Sequence, residues 1–232
     1  MSNNQYTTQA ATAGVDVGLR SHMTKTYNLI ALGLLASAAS AFVVAEAPVR
    51  GLFFDAAGKT TILGMIGIFA PLIMLFAAGW LARTAAGLRA FYWTFVALQG
   101  IGLSVAVSSQ TGGEAAKALA ITAVTFGATS LWGYTTRRNL TGMGSFMIIG
   151  LIGLIVAMIV NLFLGSPAIG FAIDVIGVLI FAGLTAYDTQ NLKESYDPSS
   201  SETSCEATRY WSAIGLYLNI LNLYNFISNL GR

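Results

Sequence analysis

Charge is scarce in this sequence: of 232 residues only 9% are Asp, Glu, Lys or Arg, against about a quarter in an ordinary soluble domain. A soluble surface cannot be built from so few charges. With 55% hydrophobic residues and a mean hydropathy of +0.68, the chain reads as an integral membrane protein. Cysteine and histidine are each present once, as Cys205 and His22, which excludes an internal disulfide and a His/Cys metal centre, zinc and haem included. Cys205 reads as a free exposed thiol in a Ser-rich loop, and His22 as a residue of the polar N-terminal tail. The formal net charge is only +2, and the basic residues are scattered in ones and twos. That pattern lacks the clustered cations of a nucleic-acid surface, so no nucleic-acid partner is expected.

What the sequence has instead is long apolar runs. About 20 apolar residues cross the hydrocarbon core as a helix, and seven segments qualify: 27–45, 61–82, 90–109, 116–134, 144–164, 169–189 and 210–230. The first is too long for the apolar region of a signal peptide, which runs about 7–15 residues, and is read as a span. The last is interrupted by Ser212, Asn219, Asn222, Asn225 and Asn229, so its polar side must face protein or water. The expected organisation is a disordered polar tail over 1–22 and one all-α membrane domain over 23–232. Glycine spacings such as Gly64 with Gly67 and Gly150 with Gly153 signal close helix packing. Pro71, mid-span, signals a fixed kink.

Basic residues alternate with this segmentation. Arg20, Lys25, Arg83, Arg89, Arg137, Arg138, Lys193 and Arg209 fall on one side, and Arg50, Lys59, Lys117 and Arg232 on the other. An excess of eight over four marks the cytoplasmic face, which places the N-terminus inside and the C-terminus outside the membrane.

Two acidic residues, Asp174 and Asp188, fall within spans, both on the sixth. A carboxylate at that depth costs at least ~2.5–3.5 kcal/mol without partners or water, which makes each a functional candidate. At about 1.5 Å per residue they lie about 21 Å apart along the helix and cannot share one ion. Asp174, near the outer end, can also be read as reaching interfacial water. Asp188 sits near the cytoplasmic end of its span, where the helix dipole and burial both oppose a bare negative charge, so proton exchange or ion ligation there is a reasonable expectation. On the seventh span Ser212, Gly215, Asn219, Asn222 and Asn229 share an arc of about 100°. Such a stripe serves either a hydrated path or interhelical hydrogen bonds. Asp188 and Asn219 together offer oxygen ligands for a hard cation such as calcium, bound weakly because only one formal charge is present.

Three stretches carry a family resemblance: Val175-Ile-Gly-Val-Leu-Ile-Phe-Ala-Gly-Leu-Thr-Ala-Tyr187-Asp188-Thr-Gln-Asn-Leu-Lys193, Gly133-Tyr-Thr-Thr-Arg-Arg-Asn-Leu-Thr-Gly-Met-Gly-Ser145 and Ile214-Gly-Leu-Tyr-Leu-Asn219-Ile-Leu-Asn222-Leu. In this order they resemble the Bax inhibitor family, in its bacterial branch, which implies a multi-pass protein of the bacterial inner (plasma) membrane. The resemblance implies six helices around a central C-terminal seventh, and a proton-sensitive calcium leak with Asp188 as ion ligand and gate. It also implies an arginine near the end of the second span, for which Arg83 is the candidate, and draws in Tyr187 beside Asp188. Where family members carry a second carboxylate this chain has Asn219, and an amide does not titrate, so a coupled pair of acids is not expected. Calcium is expected only as a transient ligand, with no cofactor. The alternative function is regulatory: modulation of a membrane-bound quality-control protease through the tail and loops. An enzyme is not expected, because no second aspartate lies on another span, as an aspartyl intramembrane protease needs, and the spans lack the histidine of a serine protease.

Overall fold

The structure is a computed structural model that describes residues 3–45, 49–55, 59–108 and 112–231. Ser109, at the end of the third expected span, and Arg232 lie outside the described residues. Those described form eight helices and no strand: α1 (Asn3–Ala45), α2 (Arg50–Phe53), α3 (Ile62–Leu81), α4 (Ala85–Ser108), α5 (Gly112–Thr135), α6 (Thr141–Leu164), α7 (Pro167–Glu194) and α8 (Glu202–Leu230). Seven are long and coincide with the seven apolar runs. The four-residue α2 belongs to the connection before α3, where an isolated antiparallel bridge joins Phe54 and Thr60. Among the described residues, five of the long helices, α1, α3, α5, α6 and α7, are long and apolar enough to cross a membrane by length and composition. α4 and α8 are not among the five, and a series of asparagines dilutes α8.

Local signals set the helix ends. The hydroxyls of Thr61, Ser166 and Ser201 accept from the backbone N–H of Gly64, Ile169 and Ser204 at 3.1, 3.5 and 3.2 Å and so cap α3, α7 and α8. These satisfy donors that a helix start leaves without an intrahelical partner. Pro167 opens α7, where its missing N–H costs nothing. Gly165 closes α6 at φ 62°, a left-handed turn that a residue without Cβ adopts freely. Pro71 is carried inside α3 without ending it.

The N-terminal tail differs from expectation. Its backbone is helical from Asn3 and continuous with the first span, as befits a segment without proline. The tail's last turn also packs: His22 is buried, its ring 5.5 Å from that of Tyr196 in the α7–α8 connection. His22 is thus part of the core at that end rather than a free tail residue.

α8 packs against α1, α4, α5 and α7 and contributes to both apolar cores. In one, Leu216 and Tyr217 meet Phe91, Tyr92 and Phe95 of α4. In the other, Leu223 and Phe226 meet Ile173, Ile180 and Phe181 of α7. Where helices approach most closely they do so over glycine. A Cβ on Gly133 would collide with the Ala186 backbone, one on Gly144 would lie 2.5 Å from the Tyr187 ring, and one on Gly67 would lie 2.9 Å from Ile101. The Gly64, Gly67 and Gly150 positions are contact points, whereas Gly153 faces open space. The outer faces remain apolar, with Phe69, Ile73 and Phe76 on α3 and Ile149, Ile152 and Phe163 on α6 exposed. Water would penalise such surfaces, and hydrocarbon does not.

Candidate functional site

α7 and α8 lie side by side and are joined by two carboxylate–amide pairs. Asn219 Nδ2 donates to Asp188 Oδ2 at 2.7 Å, and Asn229 Nδ2 donates to Asp174 Oδ1 at 3.1 Å. Asp188 and Asp174 are both half-buried, Asn219 is buried and Asn229 exposed. Asp174 therefore has a protein partner at the far end of α7 from Asp188. The two aspartates have separate amides, in keeping with their separation in sequence.

The Asp188 pair borders a cavity. It holds about 710 Å³ and is lined by residues of α3, α4, α6, α7 and α8. Asp188, Asn219, Asn222, Asn225 and Gln99 supply its polar groups, and leucines dominate the remainder. Gly215 lies beside the carboxylate, where an added Cβ would sit 3.5 Å from Asp188 Oδ2. Asn222 directs its amide N–H to its own helix, donating to the Leu218 carbonyl at 2.9 Å, which leaves its side-chain oxygen as an acceptor. A carboxylate has about four lone-pair sites, so Asp188 can accept from Asn219 and still take a proton or a hard cation. Carboxylate and amide oxygens with one formal charge suit calcium at low affinity.

The polar stripe expected on α8 divides along the helix. Gly215, Asn219 and Asn222 face the cavity, Asn229 meets Asp174, and Ser212 is not among the cavity's residues. Arg83 stands exposed in the α3–α4 connection, where its Nε donates to the Gly79 carbonyl at 3.3 Å. It is absent from the cavity wall. Tyr187 turns towards α6, its ring filling the space that Gly144 leaves. Neighbouring side chains with the same signature in sequence thus point to different places, as 100° per residue requires.

Other residues of the signature act as fasteners that their sequence pattern did not announce. Gln190 accepts from the Leu140 N–H at 2.7 Å and donates to the Arg138 carbonyl at 2.8 Å, pinning the α5–α6 connection to α7. Thr189 donates to Ser130 at 3.1 Å, and Ser130 pairs with Tyr27. The fully buried Ser37 is 2.6 Å from both the Tyr217 hydroxyl and the Val96 carbonyl, which links α1, α4 and α8. Gln99 and Asn225 were also unforeseen as cavity residues; the helical wheel of α8 could have suggested Asn225, three residues beyond Asn222.

The end of the bundle near the α7–α8 connection is charged. Arg89 of α4 makes two hydrogen bonds to Glu206, at 2.7 and 2.6 Å, and Arg209 and Lys25 both reach Glu202, at 2.6 and 3.5 Å. The Arg209 hydrogen bond holds the Glu202 carboxyl below its ordinary range, and the Arg89 hydrogen bond does the same for Glu206. Cys205, between them in sequence, is a free thiol and half-buried.

The Asp188 run, the α5–α6 connection and the Asn219 run thus meet around α7. A family model described as inhibitor of apoptosis-promoting Bax1 matches residues 19–230. The chain belongs to the Bax inhibitor family. Its relatives span nearly their whole lengths against it. A protein of Caulobacter vibrioides is 45% identical over 227 residues, covering 94% of this chain and 90% of the relative. Protein RP147 of Rickettsia prowazekii is 37% identical over 224 residues, covering 95% and 93%. The inner membrane protein YbhL of Escherichia coli is 35% identical over 211 residues, covering 89% of each. The chain is therefore a multi-pass membrane protein of this bacterial group.

Proposed function

We propose that the protein is a proton-sensitive leak path for calcium or another cation, with Asp188 as ion ligand and gate. The observation that carries this reading is the half-buried Asp188 carboxylate, held 2.7 Å from Asn219 on the wall of a cavity of about 710 Å³. An intramembrane acid that keeps accepting capacity beside a cavity is an economical ion site. In this reading all seven long helices cross the bilayer with α8 enclosed by the others, and burial among neighbours permits its asparagines at membrane depth. The eight-to-four distribution of basic residues supports a cytoplasmic N-terminus and an external C-terminus. Proton sensitivity rests on Asp188 alone, since Asn219 does not titrate.

Calcium flux into proteoliposomes of the purified chain tests the proposal. Asp188→Asn is expected to lower flux about tenfold or more, the effect of losing roughly 1.4 kcal/mol of ion stabilisation. Wild type should show one titration step in flux against pH, and Asn219→Asp two, because adjacent acids titrate as a coupled pair. Flux equal to that of empty vesicles would remove the channel reading and favour the regulatory role through a membrane-protease partner.

A further inference from the structure

The cavity beside Asp188 opens sideways. It is bounded by α3 and α6, yet α3 packs on α2 and α4 while α6 packs on α7. Leu72 of α3 and Ile155 and Met158 of α6 line it and are still 51%, 48% and 47% exposed, so they form a rim. Beside that rim the same helices present Phe69, Ile73, Ile152 and Ile159 outward, the surface that meets hydrocarbon. An opening at this depth faces acyl chains, not water. Inward of the rim the wall continues through Leu75, Leu103, Leu151 and Leu154, while the polar groups come from α4, α7 and α8.

We propose that one acyl chain of a bilayer phospholipid enters between α3 and α6 and occupies the apolar part of this cavity. There it completes the wall that separates Asp188 and Asn219 from the surrounding hydrocarbon. The volume of about 710 Å³ falls within the roughly 300–1,000 Å³ of sites that hold small organic ligands. A void there would forfeit the dispersion contacts of its leucine lining, and water needs two to four polar partners that the rim does not offer. The chain reaches the site from the phase already in contact with it, and its headgroup stays at the interface. Occupancy stands independently of ion conduction; only its effect on flux rests on the leak reading.

The full chain, reconstituted in phosphatidylcholine vesicles containing a fraction of lipid with a photoreactive diazirine on one acyl chain, tests this by peptide mapping after irradiation. Adducts are expected at Leu75, Leu103 and Leu154 as well as at lipid-facing Phe163. Gly102 lines the cavity, and an added Cβ there meets nothing within 4 Å, so Gly102→Phe sends its ring into that space from an unobstructed Cβ. It should reduce the lining adducts about tenfold, a loss of roughly 1.4 kcal/mol in occupancy, and leave Phe163 unchanged; Gly102→Leu should reduce them less. Labelling of Phe163 alone, or lining adducts indifferent to both substitutions, would overturn the proposal. So would reaction of Leu151→Cys, in a Cys205→Ser background, with a membrane-impermeant thiol reagent, since that requires water in the opening. Flux measured in the same vesicles separates the two readings. Asp188-dependent flux without lining adducts removes the lipid and keeps the leak, and adducts without flux do the reverse.

Discussion

At the scale of single residues, two adjacent positions of one signature do opposite work: Asp188 faces the cavity and Tyr187 faces α6. The candidate carboxylate and its amide were legible in the sequence because a charge and a buried asparagine are both costly in a membrane helix. The orientation of Tyr187 and the position of Arg83 were not, since neither follows from residue type. Gly144 should be as sensitive as any charged residue. A Cβ there would lie 2.5–2.7 Å from the Tyr187 ring, and overpacking of this kind costs about 1–3 kcal/mol. Gly144→Ala is expected to lower the thermal midpoint in detergent, and Tyr187→Ala to recover most of that loss in the double variant, since contacting residues are not additive. Gln190→Leu removes both partners of the α5–α6 connection. Leaving the buried Leu140 N–H unsatisfied should cost about 1–3 kcal/mol, readable as faster amide exchange at 138–141.

At the scale of elements, the apolar runs located every long helix to within a turn or two except the starts of α1 and α8. Polarity marked residues 3–22 as a tail, but polarity alone does not oppose helix formation, and no proline interrupts them. His22 was misread for the same reason: its burial depends on the distant Tyr196. The start of α8 is tied to α1 through Lys25–Glu202 and to α4 through Arg89–Glu206. Both carboxyls titrate below their ordinary range in the folded protein, so the unfolded chain takes up protons first. Their stabilisation is therefore complete above about pH 4.5, the ordinary glutamate value, and is lost as pH falls through the lower folded value. Arg89→Gln should lower the thermal midpoint slightly at pH 7. The gap to wild type should close in acid and shrink in high salt, because exposed pairs are screened.

At the scale of the whole molecule, the tryptophans gather towards one end of the bundle. Trp80 and Trp132 close α3 and α5, while Trp93 and Trp211 lie in the first half of α4 and α8. All four therefore stand towards the end that carries the Arg89–Glu206 pair, as expected of residues anchored at an interface. If that end is cytoplasmic, Lys117→Cys in a Cys205→Ser background should react with an impermeant reagent in intact cells. Arg138→Cys should react only after permeabilisation, and the reverse pattern would invert the topology. Family membership and the helical architecture were legible from sequence, whereas the sideways opening was not, since it depends on which outer helices fail to meet. The two aspartate–asparagine rungs carry one more consequence. They join α7 to α8 at two separate levels, Asp188 with Asn219 and Asp174 with Asn229, and an axial slip of one turn, about 5.4 Å, would break both together. The pair is thereby locked in register and behaves as a single rigid post. Shape change in the membrane then falls to α3, which leans mainly on α4 and the short α2 rather than on that post.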